Sequence, residues 1–353
     1  MRSESGLNAK SQEVRVNVIS RRHPYGFSME RLFEIVIEHL PPPITASPLK
    51  VPFHSRGFFK RFGNLAWAMF HSGDVNHVTG EVHYIVLALP PKRTILTVHD
   101  CGTIVGKKPT LKRHLYKWIW FTLPVRRARL VTTISETARR DLLEITGCPK
   151  EKIVVIPNCI DPRFRPGTKP FNSSKPRILQ VGRAPNKNIP RLAEALRGIP
   201  CHLHIVGIPD AQTRRVLECN HIEYSHNDML SFEQLLNEYH SADLVTFVST
   251  FEGFGLPVLE AQATGRPLVT SNISPMKEIA GTGAVLVDPF DVNSIARGII
   301  DIIEHEETRS TLIQQGFRNV SQYSPSRTAA QYARLYQALA GGTPWSAMSG
   351  STD

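Results

Sequence analysis

From about Lys175 onward, short runs of β-branched and other apolar residues alternate with longer segments of helical period. The runs Arg177–Val181, His202–Val206, His221–Tyr224, Asp243–Val248, Pro267–Thr270 and Ala284–Val287 are too short and continuous for half-exposed antiparallel strands, and helices separate most of them. That pattern predicts a parallel sheet covered on both faces. The first half repeats it less regularly, with strands at Val14–Ile19, Asp74–Val78, Thr94–Val98, Leu130–Thr133 and Lys152–Ile156. Pro157–Pro176, rich in Pro, Gly, Ser and Lys, reads as a linker. The predicted class is therefore α/β, with two doubly wound parallel-sheet domains facing a central cleft, over residues 1–165 and 166–324. Ala329, Tyr332, Ala333, Tyr336 and Leu339 form a helical stripe that needs a surface, so a helix over 325–340 is expected to pack back onto the first domain.

Length and composition narrow the class without altering it. The 353 residues, 41% hydrophobic and 21% charged, suit a globular protein and exclude a collagen-like, disulfide-dense or mainly disordered chain. The net charge of +11 is distributed unevenly. Through Thr168 there are 26 Lys+Arg against 13 Asp+Glu, whereas the remainder carries 16 against 18. The basic excess belongs to the first half, which is expected to face an anionic partner: nucleic acid, membrane surface or acidic substrate. Five cysteines with no C-x-x-C pair fit a reducing compartment better than a zinc site or disulfide framework. Residues 1–12 lack the apolar core of a secretory signal, and no apolar run reaches the roughly 18 residues needed to span a bilayer. The expected location is cytoplasmic, with any membrane contact made from the surface.

Candidate chemistry lies just after the strands, where open α/β sheets bind ligands. After Asp243–Val248 comes Ser249-Thr250-Phe251-Glu252-Gly253-Phe254-Gly255-Leu256-Pro257-Val258-Leu259-Glu260. Its glycines permit close backbone approach, Pro257 suits a first helical turn, and the amides at that helix start favour a phosphate. Glu252 in the loop and Glu260 in the helix can accept hydrogen bonds from sugar or ribose hydroxyls. After Arg177–Val181 comes Gly182-Arg183-Ala184-Pro185-Asn186-Lys187-Asn188, from which Arg183 and Lys187 can neutralise a diphosphate. Spacing alone also allows a helix start with an exposed Glu260, and for Arg183 and Lys187 it favours a turn with solvated cations.

Together these segments resemble family 4 of the glycosyltransferases, retaining enzymes of the two-Rossmann-domain GT-B type. EGFGLPVLEA and GRAPNKN carry the likeness. HVTGEVHY (77–84), TVHD (97–100), TISETARRDL (133–142), VVIPNCID (154–161) and the tail SPSRTAAQYARLYQAL extend it over most of the chain from Asp74. The resemblance implies that Gly182, Arg183 and Lys187 hold the donor diphosphate, and that Glu252 touches the transferred sugar. Amides of Gly253, Phe254, Gly255 and Leu256 would assist, Glu260 would hold the ribose hydroxyls, and His99 would lie near the reactive face of the sugar. Gly26 in Arg22-His23-Pro24-Tyr25-Gly26-Phe27 takes the place of a glycine-rich first loop, and Pro325 replaces the usual tail tryptophan. Asp100, and His77 at the end of its strand, are acceptor-side candidates.

The implied reaction moves a hexosyl group from a UDP- or GDP-sugar to a hydroxyl of a glycan or lipid-linked acceptor, as in polysaccharide or glycoconjugate biosynthesis. The donor is a substrate; no cofactor and no metal are expected. G-x-G-x-x-G is absent after any predicted strand, and Gly102–Lys108 is one residue short of a P-loop. Two further readings stand beside the enzyme: a nucleic-acid-binding protein using the basic half, which lacks a recognised motif, and a non-catalytic nucleotide-sugar binder. Two basic amphipathic stretches suggest an anionic membrane surface as a further partner. In Arg56–Phe70, Phe58, Phe59, Phe62, Ala66 and Met69 align beside Arg56, Lys60 and Arg61. In Lys107–Arg129, Leu111, Leu115, Trp118, Ile119 and Thr122 form one face and Lys112, Tyr116 and Trp120 another. Most of these aromatics are expected to fill a core, with Tyr116 and Trp120 misplaced for one.

Overall fold

A computed structural model of the chain describes residues 13–22, 29–55, 57–102, 104 and 110–342. Strands β1 (Val14–Ser20), β2 (Ile44–Lys50), β3 (Val75–Val78), β4 (Thr94–Val98), β5 (Leu130–Thr133) and β6 (Ile153–Val155) form a sheet of order β2-β1-β3-β4-β5-β6. Strands β7 (Arg177–Val181), β8 (His202–Val206), β9 (Tyr224–Asn227), β10 (Leu244–Phe247), β11 (Leu268–Ser271) and β12 (Val285–Val287) form a second, of order β9-β8-β7-β10-β11-β12. Every pairing is parallel. Parallel neighbours require crossovers, which the helices supply, so the central strands β4, β5, β10 and β11 are buried along their whole length. The order reverses between β7 and β10 in the second sheet and between β1 and β3 in the first.

Two strand readings change. β2 was not expected: it is an edge strand, exposed at several positions, and Pro48 within it breaks the apolar pattern. The strand expected at His221–Tyr224 begins only at Tyr224, because His221 adopts φ 54 and turns the chain after the helix Ala211–Cys219.

The chain divides into two compact units, one comprising 1–134, 139–156 and 326–353, the other 135–138 and 157–325. The changeover falls at Ile156/Pro157, ahead of the expected 165/166, because the supposed linker is fastened to the second unit. The Ile160 amide donates to the Tyr323 carbonyl at 2.9 Å, and the Phe164 ring packs edge-on against Phe232 and Tyr239. Further along, buried Asp243 receives Lys169 Nζ at 2.5 Å and the amides of Asn172 and Arg177 at 3.0 and 2.7 Å. One carboxylate at the start of β10 thus holds the incoming chain and the start of β7.

The helix Pro325–Ala340 belongs with the first unit from Ser326, and its stripe of Ala329, Tyr332, Ala333, Tyr336 and Leu339 is buried. Its anchor corrects the reading of His77 as an acceptor-side group. His77 lies within β3, not at its end, and is fully buried. Its Nδ1 meets the Tyr336 hydroxyl at 2.7 Å and its Nε2 the Thr97 hydroxyl at 2.6 Å. Burial, with His99 nearby, pushes its pKa down to about 3, so it is a neutral structural hydrogen-bonder.

The amphipathic stretch also turns the opposite way. Trp120 is buried, stacked on Tyr116 with centroids 5.2 Å apart, and Tyr116 packs against the same core. Trp118, one of the aromatics expected inside, is 48% exposed, and Leu111 and Leu115 on its face are 89% and 58% exposed. The helix Leu111–Lys117 continues into a π-helical turn, Trp118–Thr122, which shifts the helical phase and carries Trp120, Phe121 and Thr122 inward.

Asp243→Ala leaves Lys169 and two backbone amides without their acceptor. The loss expected is about 3 kcal/mol of stability, read from the urea midpoint.

Candidate active site

The β7 and β10 loops flank the order reversal of the second sheet, where they emerge side by side. Gly182 follows β7 with φ +89, a conformation that suits glycine; a Cβ there would also stand 2.9 Å from Cε of Lys187. The missing side chain lets the Lys187 stem lie back over the loop. Asn188, in the left-handed region at φ 60, then starts the helix Ile189–Ala195. Its Nδ2 donates to the carbonyls of Val248 and Pro289 at 3.0 and 2.7 Å, binding this loop to those after β10 and β12. Thr250 N–H donates to the Asn186 carbonyl at 2.8 Å, a second tie between the loops.

These ties bring Lys187 onto Glu252. Nζ lies 2.6 Å from Oε1, both side chains are largely buried, and the ammonium also sits 4.4 Å from the centroid of the Phe247 ring. Asn186 Nδ2 donates to the same Oε1 at 3.1 Å and to the Phe251 carbonyl at 2.8 Å. Glu252 is therefore oriented by two donors.

Gly255, with φ 109, starts the helix Leu256–Ala263, whose first turn contains Pro257 and has no side-chain cap. Its amide end is open to an anionic ligand. The Phe254 ring is buried, edge-on against Tyr323 with the centroids 6.1 Å apart. Glu260, in the same helix, accepts from the buried Tyr239 hydroxyl at 2.6 Å through Oε2. Burial raises its pKa to about 7, although Tyr239 and Lys187 both pull it down. Arg183 is exposed on the β7 loop, its stem lying over Gly207, where a Cβ would be 3.1 Å away.

Gly182, Arg183, Lys187, Glu252, the 253–256 backbone and Glu260 thus share one rim of the second unit. Sequence reasoning did not single out Asn186, Asn188, Tyr239 or Phe247, which position them. The two asparagines stand inside the quoted GRAPNKN segment, but Tyr239 and Phe247 look like ordinary core residues until their partners are known.

In the first unit, His99 directly follows β4, next to β3 and one strand removed from the order reversal of its own sheet. Its Nε2 is 2.6 Å from the Thr79 carbonyl, so Nε2 carries the proton and Nδ1 is left as an acceptor. Burial holds its pKa below the usual value. Asp100 is exposed, and its Oδ1 accepts from the Gly102 amide at 2.9 Å, a turn-forming contact. Gly26 lies outside the described residues, as do Arg56, Gly106, Lys107 and Lys108.

The chain matches two adjoining family models: Glycosyltransferase Family 4 over residues 7–164 and Glycosyl transferases group 1 over residues 164–319. It is 24% identical over 272 residues to O-antigen chain mannosyltransferase B of Escherichia coli, covering 70% of this chain and 71% of that protein. A shorter stretch of 109 residues is 33% identical to D-inositol 3-phosphate glycosyltransferase of Corynebacterium urealyticum, 30% of this chain and 26% of that relative's length. Among solved structures, Anabaena Alr3699/HepE in complex with UDP-glucose matches with a TM-score of 0.72 at 16% identity, covering 91% of this chain and 99% of that one, a likeness of fold. The motif-bearing rim, the two parallel sheets and the two adjoining family matches agree: the chain belongs to the family 4 glycosyltransferases and has their GT-B fold.

Proposed function

We propose that this glycosyltransferase moves a hexosyl group from a nucleoside-diphosphate sugar, UDP- or GDP-linked, to a hydroxyl of a glycan or lipid-linked acceptor, with retention of anomeric configuration. The observation that carries the reading is the Lys187–Glu252 pair at 2.6 Å, with Glu260 and an uncapped helix start on the same rim. One cation beside two carboxylates suits a ligand that is anionic at one end and rich in hydroxyls at the other. The names of the Escherichia coli relative, a mannosyltransferase, and of the UDP-glucose complex point the same way.

In this reading Arg183, Lys187 and the amides of 253–256 receive the diphosphate. Glu252 accepts from hydroxyls of the transferred sugar and Glu260 from those of the ribose. As the bond from the anomeric carbon to the phosphate oxygen breaks, charge grows on the leaving diphosphate, and these fixed donors stabilise it in the transition state. The acceptor oxygen bonds to the anomeric carbon on the same face, and its proton passes to the leaving phosphate. That route calls for no metal ion and no enzymatic nucleophile. A neutral His99 suits a hydrogen-bonding part toward the sugar, not an acid's part.

A thermal-shift panel of nucleoside diphosphates and their sugars tests the reading. Stabilisation by one nucleotide class identifies the donor base, whereas stabilisation by oligonucleotides alone would sink it. Product anomer analysis by NMR then tests retention.

Lys187→Ala should lower turnover at saturating donor by about a hundredfold, the scale for losing one oriented charge-stabilising donor. Donor affinity should also depend on pH through Glu260. Below about pH 7 its carboxyl takes up a proton and loses acceptor strength, so affinity falls as pH falls, by up to about tenfold per unit. A nucleotide sugar is the suitable ligand, because its diphosphate takes up no proton in that range. Calorimetric titrations from acid to neutral pH should show the slope in the native protein and lose it in Glu260→Gln.

A further inference from the structure

Ten of the fifteen large hydrophobic side chains exposed among the described residues fall between Phe53 and Ile119 of the first unit. On the helix Phe58–Phe70, Phe58, Phe59, Phe62 and Phe70 are exposed by 77, 87, 64 and 84%, while Asn64 and Ala68 face the core. On the neighbouring segment, Leu111, Leu115 and Trp118 repeat the arrangement at helical spacing, exposed by 89, 58 and 48%. The two segments touch, because the Arg61 guanidinium caps the buried Trp120 ring at 4.7 Å. Isolated exposed apolar residues are ordinary; two adjoining helical stripes of them mark a contact surface.

The charge around them selects the partner. Residues 39–73 and 101–135, which contain both stripes, include no Asp or Glu at all. Lys60, Lys112 and Lys117 adjoin the exposed Phe59, Leu111 and Trp118 along the chain. A protein partner would need its own matching acidic and apolar relief, and a second copy of this chain would bring like charge against like charge. A bilayer containing anionic lipid offers both complements at once: acyl chains for Phe59, Phe62 and Leu111, and head groups for the lysines.

We propose that this face docks the first unit on an anionic membrane surface, with both helices lying in the interface. No helix of the described residues is long and apolar enough to cross a membrane, so the contact is a surface one. The tyrosine-backed Trp120 and its Arg61 cap form the rigid floor from which the stripes project.

Flotation with phosphatidylcholine vesicles, with and without phosphatidylglycerol, tests the proposal on the full chain. Binding should require the anionic lipid and weaken with salt. Two cations contribute about 1 kcal/mol each, so Lys112→Glu/Lys117→Glu should lower partitioning by about thirtyfold or more. Phe59→Ser/Phe62→Ser should abolish binding while leaving the thermal midpoint unchanged, since both side chains are already in solvent. Tryptophan emission should shift to the blue on binding, and Trp118→Phe should remove the shift. Absence of flotation at low salt, equal flotation with uncharged vesicles, or flotation retained by both variants would overturn the proposal. A concentration-dependent dimer that Phe59→Ser dissolves would overturn it in favour of a second copy. No substrate enters the assay, so its failure leaves the transferase reading standing.

Discussion

The ammonium of Lys187 is the point on which the second unit's rim depends. It is held by three unlike contacts: a glycine that gives way to its stem, an aromatic ring beneath the charge, and a carboxylate beside it. Each contact comes from a different demand of the fold. Gly182 is needed for a positive φ as well as for space, Phe247 ends β10, and Glu252 follows only because β7 and β10 are neighbours. The same cation acts on Glu260, yet burial wins there and raises that carboxyl's pKa to about 7. Before a ligand arrives, the rim therefore carries a carboxyl kept partly protonated by its surroundings. A group that donates hydrogen bonds to it favours the ionised form, and that coupling makes pH a probe of occupancy.

The first unit is organised by a different economy of polar groups. Its interior spends hydrogen bonds on one buried line, in which Tyr336, His77, Thr97 and Thr132 join in succession at 2.7, 2.6 and 2.6 Å. That line fixes how the last helix docks, since a hydroxyl and an imidazole buried without each other would both be costly. The exterior is the reverse, with apolar rings left in solvent among lysines. A single helical segment contributes to both, sending Tyr116 and Trp120 in and Leu111 and Leu115 out. The polar rims of the strands and the apolar helix faces thus answer separate needs.

Much of the rim was legible beforehand. Strand ends in a parallel sheet gather at one edge, so a run such as Asp243–Val248 followed by glycines and a proline already marks a loop and a helix start. Arg183, Lys187, Glu252 and Glu260 could be placed on that edge from residue order alone. Their orienting partners could not. Asn186 and Tyr239 differ in no local feature from other loop and helix residues, and their value comes from reaching Glu252 and Glu260 across 66 and 21 positions of chain. His77 misled for the same reason: a histidine beside a strand end reads as a site residue until the helix that covers it is in place.

The sequence by itself determined the alternation of strand and helix, the residue types at each strand end, and the confinement of positive charge to the first half. These are local or additive properties, carried by neighbouring positions or by sums over them. Tertiary structure alone decided that Lys187 meets a carboxylate 65 residues away, that Pro157 and not residue 166 opens the second unit, and that an aromatic pair on a basic helix face turns inward. Such outcomes depend on strand order and on the space that neighbouring elements leave. A pattern of apolar and polar positions specifies that a helix has two faces, but only the packed partner selects which of two apolar faces is covered.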